Sequence, residues 1–249
     1  MEIPAKLVST LQQAQKVLVL TGAGMSAESG VPTFRDAQSG LWRKYQPEDL
    51  ATPQAFSRNP RLVWDWYADR RGNIQKVKPH AGHLALVEIE RYFRQLLIVT
   101  QNVDSLHQKA GSGHVVELHG NIMRTVCSLT GKEIGREWLE NHPGHPPVSP
   151  HHPDGLARPA VVWFGESLPQ GAMNTAMEQA AACDVCFSIG TSSLVQPAAS
   201  LPYLALDSGA SLIEINPLPT PLSARATFNL YSSAAEALTA IAAELSRQH

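Results

Sequence analysis

Short, unbroken runs of apolar residues recur along the chain at 17–20, 96–99, 115–118, 160–164, 185–189 and 212–215. Runs of this length with no polar alternation suit strands covered on both faces, as in a parallel sheet. Between several of them apolar residues return at helical spacing, over 81–91, 172–182 and 198–206, and further helices are expected at 7–15 and 234–247. Strand and helix in alternation predict an α/β chain: a doubly wound, Rossmann-like parallel sheet with helices on both faces.

Two stretches break the rhythm. Residues 40–77 are rich in Trp, Tyr and Arg without a strand pattern, and 124–159 are rich in Pro, Gly and His. They are expected to form a small inserted second domain, leaving 1–39, 78–123 and 160–249 as the large one. The stretch 143–153 holds five prolines, which rules out a regular helix or a central strand there.

Composition narrows the picture further. A chain of 249 residues suits one large domain carrying a small one. With a net charge of −2 there is no basic field for a phosphate backbone, so nucleic acid is not an expected partner. No apolar run approaches the ~20 residues that span a bilayer, and none reads as a secretory signal. The expectation is a cytoplasmic protein with no membrane partner. The cysteines, Cys127, Cys183 and Cys186, are too few for a disulfide framework. Cys183 and Cys186 are spaced as C-x-x-C, but the second leads into an apolar strand, so both read as core residues.

Candidate chemistry gathers just after the apolar runs. Gly22-Ala23-Gly24, with Ser26 two residues on, follows the first strand, where backbone N–H groups could cradle a pyrophosphate. The usual fingerprint lacks its third glycine and its later acidic residue, so a tight structural turn is equally compatible. Gly190-Thr191-Ser192 and Asn216 follow two later strands. Gln101-Asn102-Val103-Asp104 and His119-Gly120 follow two more, placing an amide, a carboxylate and an imidazole at strand ends. Taken alone, a capping Asn and Asp and a hydrogen-bonded structural His explain them as well.

The continuation Ser29-Gly30-Val31-Pro32-Thr33-Phe34-Arg35, together with Gln101-Asn102-Val103-Asp104, Leu118-His119-Gly120, Gly190-Thr191-Ser192-Ser193 and Val161-Val162-Trp163-Phe164-Gly165-Glu166, resembles the sirtuins. The resemblance runs from about residue 17 to 235. It implies an enzyme that uses NAD as co-substrate to remove acyl groups from lysines of proteins or peptides, giving nicotinamide and O-acyl-ADP-ribose. It also makes the large domain the NAD-binding one. On that basis His119 is the general base on a ribose hydroxyl, and Asn102 positions the ribose and a water. Asp104 meets the nicotinamide carboxamide and Gln101 the ribose hydroxyls. Gly22, Ala23, Gly24, Ser26, Gly190, Thr191, Ser192, Asn216 and Ala234 complete the cofactor contacts. Phe34 and Arg35 shield the reactive ribose and anchor the loop. Val162, Phe164, Gly165 and Glu166, with Val195, would take an extended substrate peptide by strand pairing.

Tyr67 and Arg70 stand at i and i+3, on one helix face. The pair resembles the class III, desuccinylase-type sirtuins, in which a Tyr and an Arg hold the distal carboxylate of a succinyl, malonyl or glutaryl group. A solvated helix face is the plain alternative. Most sirtuins also carry zinc on two C-x-x-C pairs. Here the first pair reads Cys127-Ser128-Leu129-Thr130 and the second falls at Pro150 and Pro153, so the four-thiolate site cannot form and no zinc is expected. A substitute from Cys127 with His142, His145, His151 and His152 is the alternative. Without metal, packing around Val126, Leu129, Ile134, Trp138 and Leu139 would have to hold the lobe. For the whole chain, a protein ADP-ribosyltransferase and a non-enzymatic NAD or ADP-ribose sensor are the other functions left open.

Overall fold

A computed structural model describes residues 1–31 and 49–247. Phe34 and Arg35 lie outside the described residues. Six parallel strands form the main sheet: β1 (Lys16–Thr21), β2 (Gln95–Thr100), β3 (Val115–Glu117), β6 (Val185–Ile189), β7 (Ser211–Ile215) and β8 (Phe228–Leu230), in the order β3-β2-β1-β6-β7-β8. The unbroken character of β1 has a direct cause. Val17 and Val19 point into one core with Leu7, Leu86 and Leu238, from helices α1 (Ala5–Gln13), α5 (Ala81–Glu90) and α10 (Ala234–Ser246). Leu18 and Leu20 point into the other core, with Ala176 and Leu201 from α8 (Gln170–Ala182) and α9 (Leu201–Asp207). These four apolar side chains of β1 are at most 1% exposed, each worth roughly 1.5–3 kcal/mol of burial.

The run at 160–164 does not join this sheet. Its first residues end β5 (Ala157–Val161), which pairs antiparallel with β4 (Gly120–Cys127) in a separate two-stranded sheet. An apolar run reports burial, not which sheet buries it. Val161 and Trp163 pack instead against Val63, Trp66 and Tyr67 of α4 (Pro60–Gln75). That helix and the shorter α3 (Pro53–Arg58) start where capping chemistry places them: Thr52 accepts from Ala55 N at 3.1 Å, Asn59 accepts from Leu62 N at 3.1 Å, and Pro occupies the first turn of each. β4 begins at Gly120, ahead of the expected lobe segment at 124. The proline-rich 143–153 contains no helix or strand, only an isolated bridge between Val148 and Leu156. Among the described residues no helix is long and apolar enough to cross a membrane.

Candidate active site at the parallel strand ends

Between β1 and β6 the strand order reverses, so the loops leaving their carboxyl ends diverge and open a crevice, the usual ligand position in such sheets. The glycines of that crevice also interlock two loops. Gly22 N donates to Ile189 O at 3.0 Å and Gly24 N to Gly190 O at 2.8 Å. A Cβ on Gly24 would lie 2.7 Å from the Gly190 Cα, and Gly190 itself sits at φ 59°. These residues are glycine because two loops interlock there, and of the cradle amides it is Ala23 N–H that those contacts leave over.

Around this lock the predicted cofactor residues gather. Gln101 Nε2 donates to Thr191 Oγ1 at 3.2 Å, and Asn216 Nδ2 donates to Thr191 O at 2.9 Å. Ser192 is exposed, while its neighbour Ser193 has φ 56° and a buried hydroxyl with no partner among the described residues. An orphaned donor on a strained residue at a sheet switch point suits an acceptor-rich ligand, and the donor set fits the phosphates and ribose of NAD. Ala234 stands apart from this group, buried in the core cluster of α1, α5 and α10.

Asn102 is the centre of the second group. Its Nδ2 donates to Gly22 O at 2.8 Å and to Ser26 Oγ at 2.9 Å, and Ser26 Oγ donates to Asp104 Oδ2 at 2.6 Å. Asp104, 4% exposed, also accepts from Leu106 N at 2.9 Å at the start of helix α6 (Leu106–Ala110). One carboxylate thus both caps α6 and receives the Ser26 hydroxyl. Beneath them, Asn102 N donates to Thr100 Oγ1 at 3.0 Å, Thr100 bonds Thr21 at 2.8 Å, and Thr21 bonds His107 Nε2 at 3.0 Å. Nothing in the spacing of the chain pointed to His107.

His119 Nδ1 lies 3.0 Å from Gln101 O. A carbonyl only accepts, so Nδ1 carries the proton and Nε2 keeps the lone pair. Burial lowers the imidazole pKa below its ordinary value, with the Gln101 carbonyl acting in the opposite sense. Gly120 is glycine for a local reason. At φ 76°, a Cβ on it would lie 2.1 Å from Ala160 O of β5.

On the far side of His119, its carbonyl accepts from Val162 N at 2.9 Å, Phe164 N donates to Ala51 O at 2.9 Å, and Trp163 N donates to Glu166 Oε2 at 2.8 Å. The Trp163 carbonyl in turn accepts from Glu166 N at 3.0 Å. Phe164 and Val195 are exposed, at 51% and 43%, and Gly165 turns at φ 87°. Glu166 faces inward. Arg158 grips both its oxygens, at 2.6 and 2.9 Å. Burial would raise its pKa, but the bonds from Arg158 and Trp163 prevail and lower it. Tyr67 and Arg70 lie on α4 beside this segment. The Tyr67 hydroxyl, on a side chain 5% exposed, accepts from Trp163 Nε1 at 3.0 Å, and the Arg70 guanidinium lies 5.0 Å over the Trp66 ring.

In the lobe, Cys127 is 1% exposed and packs with Ile134 and Ala157, flanked by Trp64, Trp138 and Leu139. Leu129, expected to pack there, is 59% exposed. Burial raises the Cys127 pKa, yet donors from Ser149, Thr130 and the Leu129 amide outweigh it and bring it to about 6. The loop histidines turn elsewhere: His142 Nδ1 to Trp138 O, His145 to Asp65, and His151 Nε2 to Glu133 O, while His152 Nδ1 accepts from Asp154 N. This donor set does not fit a tetrahedral zinc site. Cys183 and Cys186 are core thiols, 6% and 0% exposed.

Comparison with known proteins agrees with this geometry. The Sir2 family model matches residues 22–197. NAD-dependent protein deacylase 1 of Caldanaerobacter subterraneus subsp. tengcongensis is 49% identical over 226 residues, covering 88% of this chain and 90% of that protein. The NAD-dependent protein deacylase of Ralstonia nicotianae is 45% identical over 249 residues, covering 96% of each. A crystal structure of a Sir2 homolog–NAD complex superposes with a TM-score of 0.90 at 40% identity, over 99% of this chain and 95% of that one. Likeness this extensive in both sequence and fold makes the chain a member of the Sir2 family, the sirtuins.

Proposed function

We propose that this chain, an NAD-dependent protein-lysine deacylase, prefers acyl groups that end in a carboxylate and works without a structural zinc. When bound, NAD supplies the electrophilic ribose carbon to which the acyl group is directed. Gln101, Thr191, Ser193 and Asn216 hold its phosphates and ribose. Asn102, tied to Gly22 and Ser26, orients the reactive end, and His119 Nε2 takes a proton from a ribose hydroxyl. The acyl-lysine enters past Phe164 and Val195, with main-chain pairing along 162–165 giving broad sequence tolerance.

One observation carries the acyl preference: Tyr67 and Arg70 share a face of α4, and the Arg70 charge acts on the Tyr67 hydroxyl. A buried hydroxyl beside a half-buried guanidinium suits a carboxylate by charge-assisted hydrogen bonds. Stranding a desolvated charge costs about 2–5 kcal/mol. Arg70→Met should therefore depress kcat/KM for a succinyl-lysine peptide by well over tenfold more than for the acetyl-lysine peptide. Equal losses on the two peptides would show that α4 serves structure alone.

A further inference from the structure

Trp163 lies in the segment that ends the small sheet, and none of the roles above uses its indole. That ring is held from three sides. The Arg158 guanidinium lies 3.3 Å over it, the Phe56 ring is 5.2 Å away, and the Tyr67 ring is 6.4 Å away. Its backbone N–H is bonded to Glu166, which Arg158 grips in turn. Trp163 is 3% exposed and has no room to turn. From this fixed position Nε1 points at the Tyr67 hydroxyl, 3.0 Å away.

The direction of that bond follows from elementary chemistry. An indole N–H only donates, whereas a phenol oxygen both accepts and donates. Tyr67 must accept from Trp163, and its own proton is then given to some other acceptor. Among the described residues no acceptor takes it. Burial pushes the Tyr67 pKa well above its ordinary value, against the Trp163 bond and the Arg70 and Arg158 charges, so the proton is present at any working pH. A hydroxyl that already accepts one hydrogen bond is also polarised to donate the next more strongly.

We propose that Trp163 is a specificity-determining residue of the acyl pocket: its indole N–H holds the Tyr67 hydroxyl as a donor, aimed at the carboxylate of an acidic acyl chain. Arg158 and Glu166 are positioning residues that keep the indole in place. This rests on the preference for acidic acyl groups proposed above, and adds to it the residue that sets the polarity of the tyrosine.

The test replaces Trp163 with its benzothiophene isostere, which keeps ring size and exchanges N–H for sulfur. Trp163→Phe serves as a second variant, and each is made with and without Tyr67→Phe. The readout is kcat/KM for succinyl-lysine and acetyl-lysine peptides, with thermal melting to confirm folding. Loss of one neutral hydrogen bond predicts that the isostere lowers the succinyl-to-acetyl ratio about fivefold. Tyr67→Phe should lower it at least as far, and the isostere should add nothing once Tyr67 is Phe. If the isostere leaves the ratio intact, or lowers both peptides equally, while Arg70→Met and Tyr67→Phe still shift it, Trp163 only supports the peptide strand and the inference is refuted. If no variant shifts the ratio, the acidic-acyl preference itself fails and the inference fails with it.

Discussion

A histidine whose Nδ1–H donates to a backbone carbonyl has one nitrogen left for chemistry, and at His119 that nitrogen is Nε2. Because burial lowers its pKa, the lone pair stays available as pH falls through ~6.5, the ordinary histidine value. The acid limb of kcat/KM should accordingly have its midpoint below that value, and a midpoint above it would remove His119 as the base. His119→Ala should lose about 10²- to 10⁴-fold in turnover while NAD binding, followed by calorimetry, persists. At this scale the chain was half legible. The strand-end positions of Asn102, Asp104 and His119 could be read from the apolar runs before them. That Asn102 bonds both Gly22 and Ser26 could not, because those partners lie some eighty positions away along the chain and meet only when β1 pairs with β2.

Elements add constraints that no single residue carries. The segment from 120 to 161 closes as an antiparallel pair, with Ser128 N bonded to Leu156 O at 2.8 Å and Leu156 N to Ser128 Oγ at 3.0 Å across its end. Together with the Cys127, Ile134 and Ala157 cluster, these bonds cross-link the stretch where the sirtuin resemblance would place a zinc. Protein purified without added metal should contain no stoichiometric zinc by elemental analysis, and a chelator should leave both melting temperature and deacylation unchanged. One zinc per chain, lost on mutating Cys127 or His151, would overturn this. The lobe was also where sequence patterns read worst. β4 mixes exposed Arg124 with buried Ile122 and Thr125, which follows neither a helical nor a two-residue period. Its partner β5 begins at Ala157, before the apolar run at 160–164.

Across the whole molecule, three histidines line up behind the crevice. The His80 and His83 rings lie 4.3 Å apart and the His83 and His107 rings 5.0 Å apart. Burial, reinforced by the neighbouring imidazoles, lowers His83 to about 3 and His107 to about 4. Unfolded, both take up protons near ~6.5. The unfolded state thus binds more protons as pH falls below that value, so their contribution is full above it and declines steadily toward pH 4. Each adds a slope of about 1.4 kcal/mol per pH unit. Urea unfolding should show wild type losing about that much more stability per pH unit than His83→Leu between pH 6 and 5. Parallel losses would mean that His83 charges freely in the fold. Sequence alone determined the sheet class, the strand-end positions of Asn102, Asp104 and His119 and the missing thiolates, because burial on both faces, turn chemistry and ligand identity are written in consecutive residues. Only the tertiary structure decided that the crevice glycines interlock two loops, that Glu166 turns inward to Arg158, that Trp163 meets Tyr67 and that His107 reaches Asn102 through two threonines. Those contacts join residues far apart in the chain, and their geometry exists only after the strands have paired and the cores have packed.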